Sequence, residues 1–197
     1  MKKQWNVGIL LFDEVEVLDF AGPFEVFSVT TYEDFITNAF HVSTISETGE
    51  RIIARNGLKV DPDYSFDTAP EFDIVVIPGG PGARETQVNN PRAIEWVKEQ
   101  KSKVNIMTSV CTGSFLLAKA GLLDGKKATT HWFNYDRFER QFPKVHLQRG
   151  VKYVDQGNIV TSGGVSAGIN MSLYVVERLL GKDIASNTAR GMEYDIV

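Results

Sequence analysis

Val7-Gly8-Ile9-Leu10-Leu11-Phe12 is a continuous apolar run between polar neighbours, the pattern of a strand buried on both faces. Apolar residues then recur at helical spacing over 20–29, and Asp19 stands where an N-cap belongs. Residues 40–45 and 58–60 read as further strands, and the glycine and charge of 46–57 suggest a hairpin at a sheet edge. Phe72-Asp73-Ile74-Val75-Val76-Ile77 predicts another buried strand, cut off by Pro78-Gly79-Gly80-Pro81-Gly82. Pro91 opens a predicted helix over 91–101. The apolar run before Cys111 predicts a strand, and 114–120 predicts a helix closed by Gly121. Residues 128–142 begin Ala128-Thr129-Thr130-His131-Trp132 and turn helical, with Tyr135, Phe138 and Phe142 on one face. Two short strands over 151–160 turn at Gln156-Gly157-Asn158; an amphipathic helix spans 165–180, and a last helix is expected over 184–196.

Buried strands alternating with helices predict an α/β fold: a doubly wound, mostly parallel sheet flanked by helices. No linker, repeat or low-complexity stretch divides the 197 residues, so 1–197 reads as one domain. In such sheets ligands bind outside the carboxyl ends of the strands. Asp19, Gly79-Gly80 and Cys111 all fall at such ends.

Composition narrows the function classes. Hydrophobic content of 43% and charged content of 23% are ordinary for a globular chain. A net charge of −4, with scattered lysines and arginines, gives no footing for nucleic acid by itself. One cysteine excludes an intramolecular disulfide and points to a reducing compartment. The N-terminal apolar run is interrupted by Asp13, Glu14 and Glu16 and lacks a signal-peptide cleavage pattern. No apolar run reaches membrane-spanning length. The expectation is a cytoplasmic protein with no membrane association.

Cys111 carries the sharpest chemistry. A cysteine at a strand-to-helix turn, followed by Thr112, Gly113 and Ser114, is pushed to the sheet edge with a helix N-terminus aimed at it. Such an N-terminus favours thiolate over thiol. The alternative is an inert buried thiol. Asp19 is either a helix cap or a carboxyl group sharing a proton with that thiol; two such anions side by side force one to stay protonated near neutrality. Gly79-Gly80-Pro81-Gly82 departs from the dinucleotide fingerprint, since Gly80-Pro81-Gly82-Ala83-Arg84-Glu85 ends in Glu. These glycines form either a tight turn or a backbone oxyanion donor.

Gly164-Val165-Ser166-Ala167-Gly168 matches the serine-hydrolase pattern, but no histidine follows Ser166, and the stretch reads instead as the start of a closely packed helix. His131 is either a partner for Cys111 or structural. His41 and His146 lie in ordinary strand contexts. No spacing suits a metal, and none is expected.

Val75-Val76-Ile77-Pro78-Gly79-Gly80, Val110-Cys111-Thr112-Gly113 and Ala128-Thr129-Thr130-His131-Trp132 together resemble the ThiJ/PfpI superfamily, with its flavodoxin-like, glutamine-amidotransferase-like fold. The ordered matches run from the first strand to the helix near Val165. Leu18-Asp19-Phe20-Ala21-Gly22-Pro23 joined to Ser109-Val110-Cys111-Thr112-Gly113-Ser114 is similar to the isonitrile hydratases, and the same signatures occur in the amidase-like domain of AraC-type regulators. Family members described as proteases carry His where Thr112 stands, and those described as deglycases carry Glu where Asp19 stands. The regulators carry a helix-turn-helix region after this domain, and here the sequence ends at Val197, so a DNA-binding role is expected to need a partner.

The hydratase resemblance implies a lyase acting on a small isonitrile. Cys111 attacks, Asp19 acts as acid and then base, and Thr112 orients the water or Asp19. The N–H groups of Gly80 and Thr112 stabilise developing charge, and His131 is an accessory residue. It also implies a homodimer and no cofactor. A cysteine hydrolase or glyoxalase-like enzyme, and a non-catalytic thiol sensor or ligand-binding domain, are the alternatives.

Overall fold

A computed structural model describes residues 2–195. Trp5–Leu10 (β1) leads to helix Val17–Val29 (α1) and then to strands Phe40–Ser46 (β2), Ile52–Ile53 (β3), Lys59–Val60 (β4), Tyr64–Ser65 (β5) and Ile74–Ile77 (β6). Helix Pro91–Lys103 (α2), strand Ile106–Ser109 (β7) and helix Ser114–Lys119 (α3) follow. Lys127–Ala128 (β8), Tyr135–Gln141 (α4), His146–Leu147 (β9), Tyr153–Asp155 (β10), Ile159–Ser162 (β11), Ala167–Leu180 (α5) and Lys182–Gly191 (α6) complete the chain.

The central sheet has seven strands in the order β10-β11-β7-β6-β1-β2-β5. Every neighbouring pair is parallel except β10–β11. This is the doubly wound, mostly parallel α/β sheet flanked by helices that the alternation predicts. Every residue of β6, β7 and β11 is buried, as strands covered on both faces must be. Helix α1 packs on α5 and α5 on α6, while α2 packs on α3.

Beneath the turn that carries Cys111, Phe115 meets Phe138 and Phe142 edge-on at 5.1 and 5.7 Å, joining α3 to α4. Of the three aromatics that helical spacing places on one face of α4, Phe138 enters the core and Phe142 packs half-buried against it.

Three sequence expectations are corrected. Residues 46–57 do not form a hairpin on the edge of the main sheet. The hairpin is the separate antiparallel pair β3–β4, and the sheet edge is β5, added in parallel to β2. Asp19 is not an N-cap: α1 begins at Val17, Glu16 holds the cap position without a side-chain bond, and Asp19 lies inside the first turn. The last helix ends at Gly191 and not at 196, where Ile196 lies outside the described residues.

Phe115 is fully buried among aromatic rings, so Phe115→Ala should destabilise the fold by about 3–5 kcal/mol. The midpoint of urea unfolding, with unchanged slope, reads this loss directly.

Candidate active site

Three loops at the carboxyl ends of β1, β6 and β7 are laced together by hydrogen bonds. After β1, Glu14 takes a φ of 60° and accepts from the Gly82 N–H at 3.1 Å, and the Glu16 N–H donates to the Gly79 carbonyl at 2.9 Å. This turn delivers Asp19 to the interior, wholly shielded from solvent. The Gly79 N–H donates to Asp19 Oδ2 at 2.9 Å, while Oδ1, equally buried, makes no hydrogen bond. After β6, Gly80 at φ 118° turns its N–H to Thr112 Oγ1 at 2.9 Å, and the Thr112 hydroxyl donates to the Gly80 carbonyl at 3.1 Å. A side chain at position 80 would be strained by that φ and would meet the Glu14 carbonyl and Glu16 nitrogen at 2.5 Å.

Cys111 itself has φ 55°, an uncommon conformation for a non-glycine residue. Its backbone is gripped from three directions. Its N–H donates to the Gly163 carbonyl at 3.0 Å, and its carbonyl accepts from Thr130 Oγ1 at 3.0 Å and Ser114 Oγ at 3.2 Å. The strained turn at the end of a buried strand is the elbow geometry that the sequence suggests, with the thiol 5% exposed.

Electrostatics within the site run against one expectation. Burial pushes the Cys111 thiol up from its ordinary value, and the Asp19 carboxyl pushes it further; the Thr112 N–H and hydroxyl pull it down but do not prevail. The helix N-terminus therefore does not make Cys111 a resting thiolate, because loss of water outweighs the few dipoles aimed at sulfur. Burial likewise raises Asp19, to about 7. The Gly79 N–H opposes that rise, and the Glu16 charge adds to it. The thiol and carboxyl act on each other's protons, so they titrate as a pair.

The structure brings Cys111, Asp19, Thr112 and Gly80 into one cluster. Gly80 enters it in a different role from the expected oxyanion donor, since its N–H is already taken by Thr112 Oγ1. His131 stands apart: its Nδ1 accepts from the Phe133 N–H at 3.3 Å, and no hydrogen bond joins it to Cys111. Burial first, and then the Arg84 charge, lower its pKa, so it is neutral at pH 7. Its ring lies so close to Gly164 that a Cβ there would fall 2.0 Å from His131 Cδ2.

Sequence reasoning missed Val165. It is β-branched yet held at φ 49°, and its N–H faces the Asp19 carboxyl and lowers the Asp19 pKa. The small-residue run around it reads as the start of a packed helix, and Gly168 does pack against Val110. The turn just ahead of that helix is where the chemistry lies. Among the described residues no three His, Cys, Asp or Glu side chains cluster as metal ligands, and no helix is long and apolar enough to cross a membrane.

The profile of the DJ-1/PfpI family matches residues 6–178. An isonitrile hydratase of Pseudomonas putida is 32% identical over 189 residues, spanning 96% of this chain and 78% of the relative. The HTH-type transcriptional regulator GbdR of Pseudomonas aeruginosa is 27% identical over 96% of the chain, which spans only 51% of the regulator. Among solved structures, a THiJ/PfpI family protein from Pseudomonas syringae superposes with a TM-score of 0.87 at 25% identity, covering 98% of this chain and 76% of that one.

The raised Asp19 pKa has a consequence for stability. In the unfolded chain the carboxyl ionises near its ordinary value of 3.8, whereas in the folded chain it holds its proton to about 7. Between those values the folded state binds more protons, so stability falls as pH rises from about 4 to 7, by about 4 kcal/mol in the limit. Depressed His131 contributes in the opposite sense, gaining stability as pH rises through the unfolded value of 6.5. Asp19→Asn should remove the falling component and leave the rising one. Urea midpoints measured from pH 4 to 8 for both proteins isolate the difference.

Proposed function

The chain belongs to the DJ-1/PfpI family, and we propose that within it this protein is a cysteine-dependent hydratase that adds water to a small isonitrile. The observation that carries the reading is the buried Asp19 carboxyl, raised to about 7 and paired with Cys111. Hydration of an isonitrile needs a nucleophile and a proton delivered to the same terminal carbon, and then a base for water. A thiol and a carboxyl sharing a proton supply both.

In the first half of the reaction the Cys111 sulfur bonds to the terminal carbon, and Asp19, having taken the thiol proton, delivers it to that carbon. The product is a thioimidate. In the second half water adds to the same carbon, with Asp19 as base and then proton donor to nitrogen. The carbon–sulfur bond breaks, the thiol is restored, and an N-substituted formamide leaves. The Thr112 N–H, which acts on the Cys111 sulfur, is the donor for charge developing beside it. Thr112 Oγ1 and Gly80 position one another.

A second reading follows from the regulators, which match across nearly the whole of this chain over about half of their own length. In it the same site binds a small molecule without turning it over. The thiol chemistry of the hydratase reading requires reduced Cys111, which fits a cytoplasmic location. We further propose a homodimer through the exposed side of α1, where Leu18, Phe24 and Val29 are exposed by 38–42%.

Incubation with a small alkyl isonitrile should yield the formamide. Cys111→Ala should abolish it, Asp19→Asn should reduce it at least about a hundredfold, and Thr112→Val about tenfold or more. Wild-type formamide no higher than the Cys111→Ala background rules the hydratase out. In sedimentation velocity, Phe24→Glu should convert a dimer to monomer; a wild-type monomer at micromolar concentration removes the dimer proposal.

A further inference from the structure

Resting on Cys111 as the reacting thiol, we propose that the mouth above it binds a small anionic group, a carboxylate in particular, on the non-reacting end of the substrate, with Arg84 as its partner. The carboxyl ends of β11, β7, β6 and β1 are neighbours in the sheet, so the loops that follow them ring Cys111. Arg84 comes from the loop after β6, and its N–H reaches the Gly80 carbonyl at 3.4 Å. Glu16 comes from the loop after β1 and is tied to Gly79. Arg55 is pinned above Glu16 by its own N–H on the Val15 carbonyl at 2.9 Å and by its guanidinium on Glu16 Oε2 at 2.5 Å. His131 closes the remaining side against Gly164. Arg84, Glu16 and Arg55 all act on the His131 imidazole, and Arg55 also feels Cys111, as groups around one opening must.

Around Arg84 the charges of this ring do not cancel. Arg55 is paired with Glu16, and the Glu14 charge acts on it as well. Glu85 is shared, held by Arg137 at 2.6 Å and by Arg84 at 3.4 Å. One carboxylate therefore faces two guanidiniums, and the shorter contact goes to Arg137. Arg84 is left under-compensated at the rim, its side chain 28% exposed. On the His131 side, where the Trp132 ring lies 5.8 Å from the imidazole, Trp132 and Phe133 expose 68% and 76% of their surface and give the mouth an apolar wall. An isonitrile group carries no net charge, so a surplus cation at the opening selects through the other end of the molecule. Aromatic surface and a guanidinium, each close to His131, suit a compact acid with an apolar body.

Iodoacetate and iodoacetamide test this at the only cysteine, because both form the same carbon–sulfur bond with loss of iodide and differ only in carrying a carboxylate or an uncharged amide. The ratio of their alkylation rates, followed by intact mass, should fall about fivefold in Arg84→Gln. It should rise in Glu16→Gln, where Arg55 loses its internal partner, and stay constant in Lys144→Gln, which lies elsewhere on the surface. A ratio unaltered by Arg84→Gln overturns the proposal. If Cys111 reacts too slowly with both reagents, quenching of Trp132 by iodide against acrylamide reads the same charge, taken as the difference from Trp132→Phe. Arg84→Gln should then lower the iodide constant alone, and equal loss or no loss for both quenchers overturns the proposal. Isocyanoacetate and an uncharged alkyl isonitrile, assayed for formamide, separate the two claims. Charge-sensitive alkylation without turnover of either compound refutes the hydratase and leaves the anion site standing. Turnover with a charge-blind ratio does the reverse.

Discussion

Everything at this site depends on how closely the backbone at Gly79 is approached. A Cβ there would lie 2.5 Å from the Thr112 nitrogen, 2.7 Å from its Oγ1 and 2.9 Å from Asp19 Oδ2. Three loops, each leaving a different strand, thus meet in van der Waals contact around one residue that has no side chain. The contact seals the Asp19 carboxyl from water and gives it one short backbone hydrogen bond, from Gly79, in exchange. That bond and the more weakly acting Val165 N–H cannot replace a hydration shell, so the carboxyl keeps its proton to about 7. The proximity of Thr112 and the depth of Cys111 follow from the same closure.

Such a closure is costly, and the cost is visible in the backbone. Glu14 and Cys111 hold positive φ within these loops, and Val165 does so in the loop after β11. Each costs of order 1–3 kcal/mol, with Val165 the most constrained because it is β-branched. The strain persists because the strands that feed the loops are fully buried and rigidly registered: Ile74 to Ile77 pair one for one with Ile106 to Ser109, and Ile159 to Thr161 pair with Met107 to Ser109. The Cys111 N–H donating to Gly163, and the Thr130 and Ser114 hydroxyls donating to the Cys111 carbonyl, then over-determine the Cys111 backbone. A well-packed sheet holds three unfavourable residues in place, and those three aim the reacting groups.

This division explains what was legible in one dimension. The buried strands were, because both-face burial writes itself as uninterrupted apolar runs such as 74–77 and 7–10. Cys111 was legible because a strand followed by small residues and then a helix marks an elbow. Asp19 was identified as a candidate but with the wrong structural alternative, since an acidic residue near a helix start looks like a cap whether or not the helix begins two residues earlier. The donor role of Gly80 could not be judged, because which neighbour consumes an N–H is a matter of three-dimensional proximity to Thr112. Val165 and the rim of Arg84, Arg55 and Glu16 left no local signal. Their positions depend on loops that are 29 to 149 residues apart along the chain, from 16 to 165, and converge only through the strand order.

The raised thiol looks at first like an argument against a nucleophile, yet the pair resolves it. Burial penalises the number of charges in the pocket, not their position within it. Once the first proton has left, near pH 7, one negative charge remains, and it can rest on Asp19 oxygen or, when the proton crosses, on Cys111 sulfur. That exchange leaves the count of buried charges unchanged, so desolvation does not oppose it as it opposes independent ionisation. The charge then flows into the new carbon–sulfur bond while the proton waits on Asp19 Oδ1, a buried oxygen with no hydrogen-bond partner. It is the second charge that burial forbids. A pocket built this way stays protonated enough to deliver a proton and ionised enough to attack, and it leaves recognition of the rest of the substrate to the rim.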